Sequence, residues 1–383
     1  MKIDKRLWSG GIILILAFGI YNFFNFVFQL SMARMLSISD YGIFATLFAI
    51  IYILAVFVET IQTVITKYSS EENDKKKLKN ILRKSLRKSF FISLLFFMLY
   101  LVISIPLGLL LKINYYLLAF NGLMIFTSLV LPVTRGIMQG KKRFKGLGIN
   151  MISESVIKLT LAIMFVYVGS RVYGAIGGAI LGTGLAFFLS FIPLRDIIKT
   201  QEKKAKTIGI YSYAKPTFLI TFIIIVFYSI DIIIAKIVFS EQLARTYAIA
   251  SILSKAIFWG TQPISRVMFP LSSENVKKLR KSNNVFLNSL VILFMGLIGS
   301  LTVFYFLPEF IIKIFAGRVI NEAASILFFL GIGTSLISIT NLIMLYKLSI
   351  NETKGYPYLL IFLAIEIFLL FYCSDYFYFP LYR

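Results

Sequence analysis

The sequence predicts an all-α, polytopic membrane protein of about 11 transmembrane helices in two pseudo-symmetric lobes. Composition, the spacing of the apolar runs and an echo of the first helical hairpin halfway along the chain carry that prediction. Of 383 residues, 58% are hydrophobic and 38 are Phe, and the mean hydropathy is +0.85. So apolar a chain leaves too little polar surface for a water-soluble globule.

A hydrocarbon layer about 30 Å thick is crossed by roughly 20 helical residues rising about 1.5 Å each. On that measure the predicted helix cores are 8–30, 41–66, 90–111, 115–138, 147–168, 173–194, 213–239, 247–269, 285–307, 323–346 and 356–372. The first follows Lys2, Lys5 and Arg6 as a signal peptide would, but its apolar run exceeds a typical signal core and another span follows directly, so it is read as an uncleaved span. Residues 308–323 hold too short an apolar run to cross and are expected to form an external loop with an interfacial turn. Pro106, Pro132, Pro193 and Pro263 mark expected helix interruptions. In "GAIGGAILG", Gly174, Gly178 and Gly182 recur every fourth residue, the pattern of a small-residue face for close helix packing. A nucleotide loop is excluded because no strand or Lys-Ser/Thr accompanies them.

Charge placement orients the chain. With the N-terminus cytoplasmic, 30 of the 40 basic residues fall in the cytoplasmic loops and adjoining helix ends, including Arg135, Lys215 and Arg266. Arg34, Lys112, Arg171, Lys236, Arg245, Lys313, Arg318 and Arg383 fall on the other side. This bias reads as the positive-inside rule. The net charge of +23 is thus a topology signal, with contact to anionic lipid heads, and not a nucleic-acid footprint.

Two charged loops are long, "KYSSEENDKKKLKNILRKSLRKS" and "RDIIKTQEKKAKTIGIYS". The second follows helix six and divides the chain into lobes at 1–200 and 201–383. Lobe one contains "FQLSMARMLSISDYGIFATLF" and lobe two "YSIDIIIAKIVFSEQLARTYAIAS". Aligning Ala33 with Ala235 sets Arg34 on Lys236 and Gln29 on Asp231; one inserted residue later Phe44 meets Tyr247 and Ala45 meets Ala248. At that second offset "KYSSEE" lies over "PLSSEN". The matches recur in the first hairpin of each lobe, which indicates a parallel duplication about an axis along the membrane normal.

The turn "ARMLSISDYGIFA", followed by a helix ending in "KYSSE", resembles the polysaccharide-type flippases of the multidrug/oligosaccharidyl-lipid/polysaccharide exporter superfamily. The hairpin "FYSIDIIIAKIVFSEQLARTYAIA", ending in "ISRVMFPLSSE", resembles that family's seventh and eighth helices. The likeness covers roughly residues 5 to 350. It implies six helices per lobe, so this chain is read as lacking a twelfth. It also implies a polyprenyl-linked sugar substrate, membrane lipids and other glycan-assembly membrane proteins as partners, and a place in the cytoplasmic membrane.

One cysteine, Cys373, and no histidine exclude internal disulfides, Cys/His metal centres and Ser-His or Cys-His nucleophiles. No catalytic residue, metal or cofactor is expected, and the chain is read as a non-enzyme. No ATP-binding motif is present, so energy would come from ion or membrane gradients or from product removal.

Charges inside the bilayer cost roughly 2.5 to 3.5 kcal/mol each at a helix centre, so each needs a partner or a wet cavity. Glu154 and Lys158 stand four residues apart and are expected to pair with each other. Lys255 has no local acid, and Asp231 on the adjacent antiparallel helix is the candidate partner. For both pairs a structural bridge and a substrate or ion site stand side by side. Glu59 lies near the cytoplasmic end of helix two, where snorkelling explains it, or an ion-coupling role. Glu366 in helix eleven is a weaker candidate. Arg34 and Lys236 read either as interfacial anchors or as cations that attract a pyrophosphate. A path lined by Arg34, Lys158, Lys236 and Lys255, with Asp231, suits an anionic substrate. The leading expectation is therefore a flippase moving a lipid-linked oligosaccharide outward by alternating access. A cation-coupled multidrug antiporter, or a glycan polymerase or ligase, are the alternatives.

Overall fold

The computed structural model of the chain describes residues 5–52, 54–111, 113–205, 210–239, 241–274, 279–316, 319–352 and 356–372, with some helical side chains, Lys236 among them, left outside the description. Every regular element among the described residues is helical. In order these are α1 (Lys5–Met35), α2 (Ile38–Tyr52), α3 (Ala55–Glu71), α4 (Lys75–Leu111), α5 (Tyr115–Gly122), α6 (Met124–Gly140), α7 (Phe144–Phe165) and α8 (Arg171–Leu189). There follow α9 (Arg195–Ile198), α10 (Ile210–Val238), α11 (Glu241–Ser254), α12 (Ala256–Glu274), α13 (Leu279–Phe306), α14 (Pro308–Ala316), α15 (Asn321–Ser349) and α16 (Tyr356–Tyr372). They form two compact units, Trp8–Ala214 and Lys215–Arg383, the latter taken together with Met1–Leu7.

Among the described residues, seven helical stretches are long and apolar enough to cross a membrane by length and composition. They are fewer than the predicted cores for local reasons. The second and eighth cores are each split, into α2 and α3 and into α11 and α12. The fifth and sixth fall in one stretch, Phe144–Ile198, and the apolar part of α16, Pro357–Leu370, is short.

The two splits occupy equivalent places, since Tyr52 and Lys255 correspond at the offset that pairs Phe44 with Tyr247. Neither contains Gly or Pro. Near each split, another helix of the same unit donates to the backbone. The Asn121 amide of α5 donates to the Leu47 carbonyl of α2 at 3.1 Å, and the Thr334 hydroxyl of α15 donates to the Ser254 carbonyl at 3.0 Å.

Three expectations are corrected. The charged segment read as a loop over 67–89 is mostly helix, because α4 begins at Lys75 and runs unbroken for 37 residues. Lys, Arg and Leu are good helix formers, and no Gly or Pro interrupts 75–89. Pro106, Pro132 and Pro263 lie inside continuous helices; each removes one backbone bond without ending its helix, which membrane helices tolerate. Pro193 sits in a short 3-10 turn, Ile192–Leu194. Residues 308–316 form α14, which buries Ile312 while Phe310 and Ile314 stay exposed.

Lipid is as apolar as Leu, so helices associate in it through packing and hydrogen bonds. In the first unit, Phe28, Phe44 and Leu47 join Leu129, Val172 and Ala179 in one buried cluster. Its tightest seam is α7 against α8. A Cβ at Gly174 would lie 2.9 Å from the Phe165 carbonyl carbon, at Gly178 2.7 Å from Ala162 Cβ, and at Gly182 2.7 Å from Lys158 Cα. The seam between α3 and α6 is equally close and more polar: Gln62 Nε2 donates to Gln139 Oε1 at 2.7 Å, and Thr66 Oγ1 reaches the Gly136 carbonyl at 3.3 Å. In the second unit α12 packs with α13 and α15, around Phe269, Leu293 and Leu327.

Candidate functional site

Each unit buries charged side chains among its described residues, the first including Lys67, which pairs with Glu71 at 2.8 Å. In the second unit a nest of them is built where α11 breaks into α12. Tyr247, Ser251 and Lys255 follow one another at four-residue intervals, so they share a face. All three reach Asp231 on α10. Lys255 Nζ lies 2.7 Å from Asp231 Oδ1, Ser251 Oγ donates to Oδ2 at 2.6 Å, and the Tyr247 hydroxyl donates to Oδ2 at 3.3 Å. The side chains are 6% and 16% exposed for Lys255 and Asp231. The ammonium also rests 5.0 Å from the centre of the Tyr228 ring, a cation–π contact. Tyr228 is itself fixed, since its hydroxyl accepts from Trp259 Nε1 at 2.6 Å.

Glu366 on α16 lies within electrostatic reach of Asp231 and Lys255. Its Oε2 is buried without a hydrogen-bond partner. It lines a cavity of about 610 Å³ between α10, α15 and α16, whose other walls include Ile224, Phe227, Leu336, Thr340 and Phe362. With all three groups ionised, this nest holds two carboxylates against one ammonium.

In the first unit the expected pairing of Glu154 with Lys158 is not made. Glu154 Oε2 is taken by Arg135 Nη2 of α6 at 2.6 Å, and Arg135 Nε donates to Asn150 Oδ1 at 2.9 Å. Asn150 in turn donates to the Ala186 carbonyl of α8 at 2.7 Å, tying three helices together. A guanidinium with several fixed donors satisfies a buried carboxylate better than one flexible ammonium. Lys158 instead donates to Asn25 Oδ1 of α1 and lies 4.8 Å from the Phe28 ring centre. Both direct contacts are neutral, the Glu154 carboxylate stays within electrostatic reach, and Lys158 is buried. The glycine face of α8 places it, because Gly182 lets the Lys158 backbone press directly on α8.

Of the remaining candidates, Arg34 is exposed in the last turn of α1. Glu59 is half-buried on α3. Lys236 is on α10, with its side chain outside the described residues. The sequence reading passed over Asn25, Phe28, Tyr228, Tyr247, Ser251 and Trp259. The shared face of Tyr247, Ser251 and Lys255, and the amides Asn22, Asn25 and Gln29 amid the apolar run of α1, were the available signals. Among the described residues no group of three or more His, Cys, Asp or Glu could hold a metal ion.

Residues 7–276 match a family model whose description is polysaccharide biosynthesis protein. No curated protein matches significantly. Solved structures match over almost the whole chain. A variant of a MATE transporter from Vibrio cholerae superposes with a TM-score of 0.77 at 13% identity, covering 92% of this chain and 85% of that one. The outward-facing conformation of a multidrug resistance MATE family transporter of the MOP superfamily gives 0.76 at 13% identity, covering 93% and 87%. A MOP superfamily transporter from Pyrococcus furiosus, described as having a binding pocket of reverse polarity that suggests a different function, gives 0.68 at 14% identity and covers 96% of both chains. At such identities the likeness is one of fold.

Proposed function

Because the chain belongs to the polysaccharide biosynthesis protein family, we propose that it is a flippase carrying a lipid-linked oligosaccharide from the cytoplasmic to the external leaflet. The observation that carries this reading is the state of Lys158. Its neighbouring carboxylate is bonded to Arg135 and reaches Lys158 only through space, so the ammonium's direct contacts are an amide oxygen and a ring. A cation held in that way suits the pyrophosphate of a polyprenyl-linked sugar, which brings the missing negative charge.

The proposed arrangement keeps eleven spans with the N-terminus cytoplasmic, lobes meeting in the segment after helix six, and alternating access between them. Arg34, Lys236 and Lys255 with Asp231 are the further proposed path residues. Glu154 is assigned to holding α6, α7 and α8 together. The membrane is proposed to be the cytoplasmic one.

The test is translocation of a fluorescent lipid-linked oligosaccharide in proteoliposomes containing the purified chain. Wild-type protein should expose the label on the opposite leaflet, Lys158→Gln should abolish that, and Lys158→Arg should retain part of it. A label that stays on its original leaflet with wild-type protein refutes the function; an unchanged rate with Lys158→Gln removes Lys158 from it. A second reading, a cation-coupled antiporter, is supported by one observation, the surplus carboxylate of Glu366 facing an apolar cavity. Transport of an organic cation that vanishes with Glu366→Gln would favour it.

A further inference from the structure

The basic end of α4 and its apolar continuation form one uninterrupted stripe. Lys84, Arg87 and Lys88 are exposed, and so are Phe91, Leu95, Met98, Leu99 and Val102. These positions advance by three or four residues, so they lie on a single face of a single helix. Leu78, Leu82, Ser89 and Ser93 occupy the opposite, buried face. A face that exposes Phe91 at 56% and Leu95 at 66% in a membrane protein is a face turned to hydrocarbon. The same face, continued toward the N-terminus of α4, must emerge through the headgroup layer where Arg87 and Lys88 begin.

The geometry fits that depth. Lys84 precedes Phe91 by seven residues, about 10 Å along the helix axis. Arg87 and Lys88 lie closer, at about 4 to 6 Å. The Arg87 guanidinium sits 5.9 Å from the Phe91 ring centre, so the cation stands directly against an exposed aromatic at the start of the apolar run.

Charge completes the case. Helix α4 contains no Asp or Glu. The carboxylates of neighbouring segments are spent on its first turns and on Arg83: Lys75 with Asp196 at 2.9 Å, Lys77 with Glu72 at 3.5 Å, and Arg83 with Glu202 at 2.8 Å. Lys84 and Arg87 have no carboxylate partner among the described residues.

We propose that Lys84, Arg87 and Lys88 form a docking site for the headgroup of an anionic phospholipid, whose acyl chains lie along the Phe91, Leu95 and Val102 side of the same helix. The lipid supplies the phosphate and the hydrocarbon in the order in which α4 presents cations and apolar side chains. The site stands apart from both buried nests and does not depend on what is transported.

The experiment is native mass spectrometry of the full chain in mixed micelles with equal amounts of phosphatidylglycerol and phosphatidylcholine. Wild-type protein should retain the anionic phosphatidylglycerol preferentially. The triple variant K84Q/R87Q/K88Q should lose that preference by at least tenfold, at about fivefold per cation near a headgroup and with allowance for screening. K75Q/K77Q, which removes cations already held by carboxylates, should leave it within about twofold. If the triple variant does not fold, Lys84→Gln and Arg87→Gln singly should each lower it about threefold to fivefold. Equal retention of the two lipids by wild-type protein, or an unchanged preference in the variants of the stripe, overturns the proposal.

Discussion

Neutralising Asp231 and Lys255 one at a time and then together tests the second nest most directly. With the side chains 16% and 6% exposed, neither charge has water to fall back on. Lys255→Met leaves the Asp231 carboxylate with two hydroxyl donors, Ser251 and Tyr247. Asp231→Asn leaves the ammonium with an amide oxygen, the Tyr228 ring and only the more distant Glu366 carboxylate. Each single change should cost about 3 to 5 kcal/mol, the usual result of orphaning one member of a buried pair. The double variant removes both charges and keeps a hydrogen-bonding Asn, so it should cost no more than about 3 kcal/mol. The coupling between the sites is then at least about 3 kcal/mol, well beyond the 0.3 to 0.5 kcal/mol scatter of independent sites. Reversible unfolding in mixed micelles reads it out. The chain has two tryptophans. With Trp8→Phe as background, Trp259 becomes the reporter, one hydrogen bond away from the ring beneath Lys255. Costs that simply add, or single variants each below about 1 kcal/mol, would refute the argument that the pair is a desolvated unit.

Three further outcomes follow from particular contacts. Gly182→Ala puts a methyl 2.7 Å from the Lys158 backbone, so it should destabilise the first unit by about 1 to 3 kcal/mol in thermal unfolding, whereas Gly260→Ala, with nothing within 4 Å, should not. Arg135→Met strands a buried carboxylate and should lower stability by about 3 to 5 kcal/mol, more than Glu154→Gln, whose amide oxygen still accepts from Arg135; equal losses in a thermal melt would contradict that. Hydrogen bonds from Arg83 and then Asn80 hold the Glu202 carboxyl below its ordinary pKa. The contact therefore stabilises above the unfolded pKa near 4.5 and is lost as pH falls through the lower, folded value. Amide exchange at Lys203 and Ala205, bonded to Lys76 and Asn80, should accelerate on acidification once intrinsic rates are removed, and Glu202→Gln should erase the acid limb.

Apolar length made the helices legible, because twenty greasy residues between charged ones have few alternatives to a helix. The two breaks were illegible for a matching reason. No Gly or Pro stands at 52–55 or 254–256 to mark a break, and the donors that reach the backbone nearby, Asn121 and Thr334, come from distant parts of the chain. Asp231 and Lys255 stand out as lone charges in apolar spans, whereas Tyr228, Tyr247 and Ser251 look like ordinary span residues until the helices are packed. Glu154 and Lys158 show the limit of local rules. Four-residue spacing makes two side chains neighbours, but burial makes each seek its best donor or acceptor. For Glu154 that donor is the fork of Arg135. The 67–89 segment was misjudged because charge was read as loop, although lysines and arginines without glycine or proline form helices readily.

The Arg135–Glu154 bond also bears on how the protein is made. Helix α7 brings both a carboxylate and an ammonium into hydrocarbon, a cost of roughly 5 to 7 kcal/mol if it partitions alone. Its carboxylate's partner is on α6, which leaves the ribosome earlier, and Lys158's partner is on α1, earlier still. Asn150 then needs the Ala186 carbonyl of α8, which emerges later. Alone in lipid, α7 can offer Glu154 and Lys158 only each other as charged partners. Its stable insertion waits on helices synthesised before and after it, and the polar network that looks like a fastening in the finished protein is also a constraint on the order of its assembly.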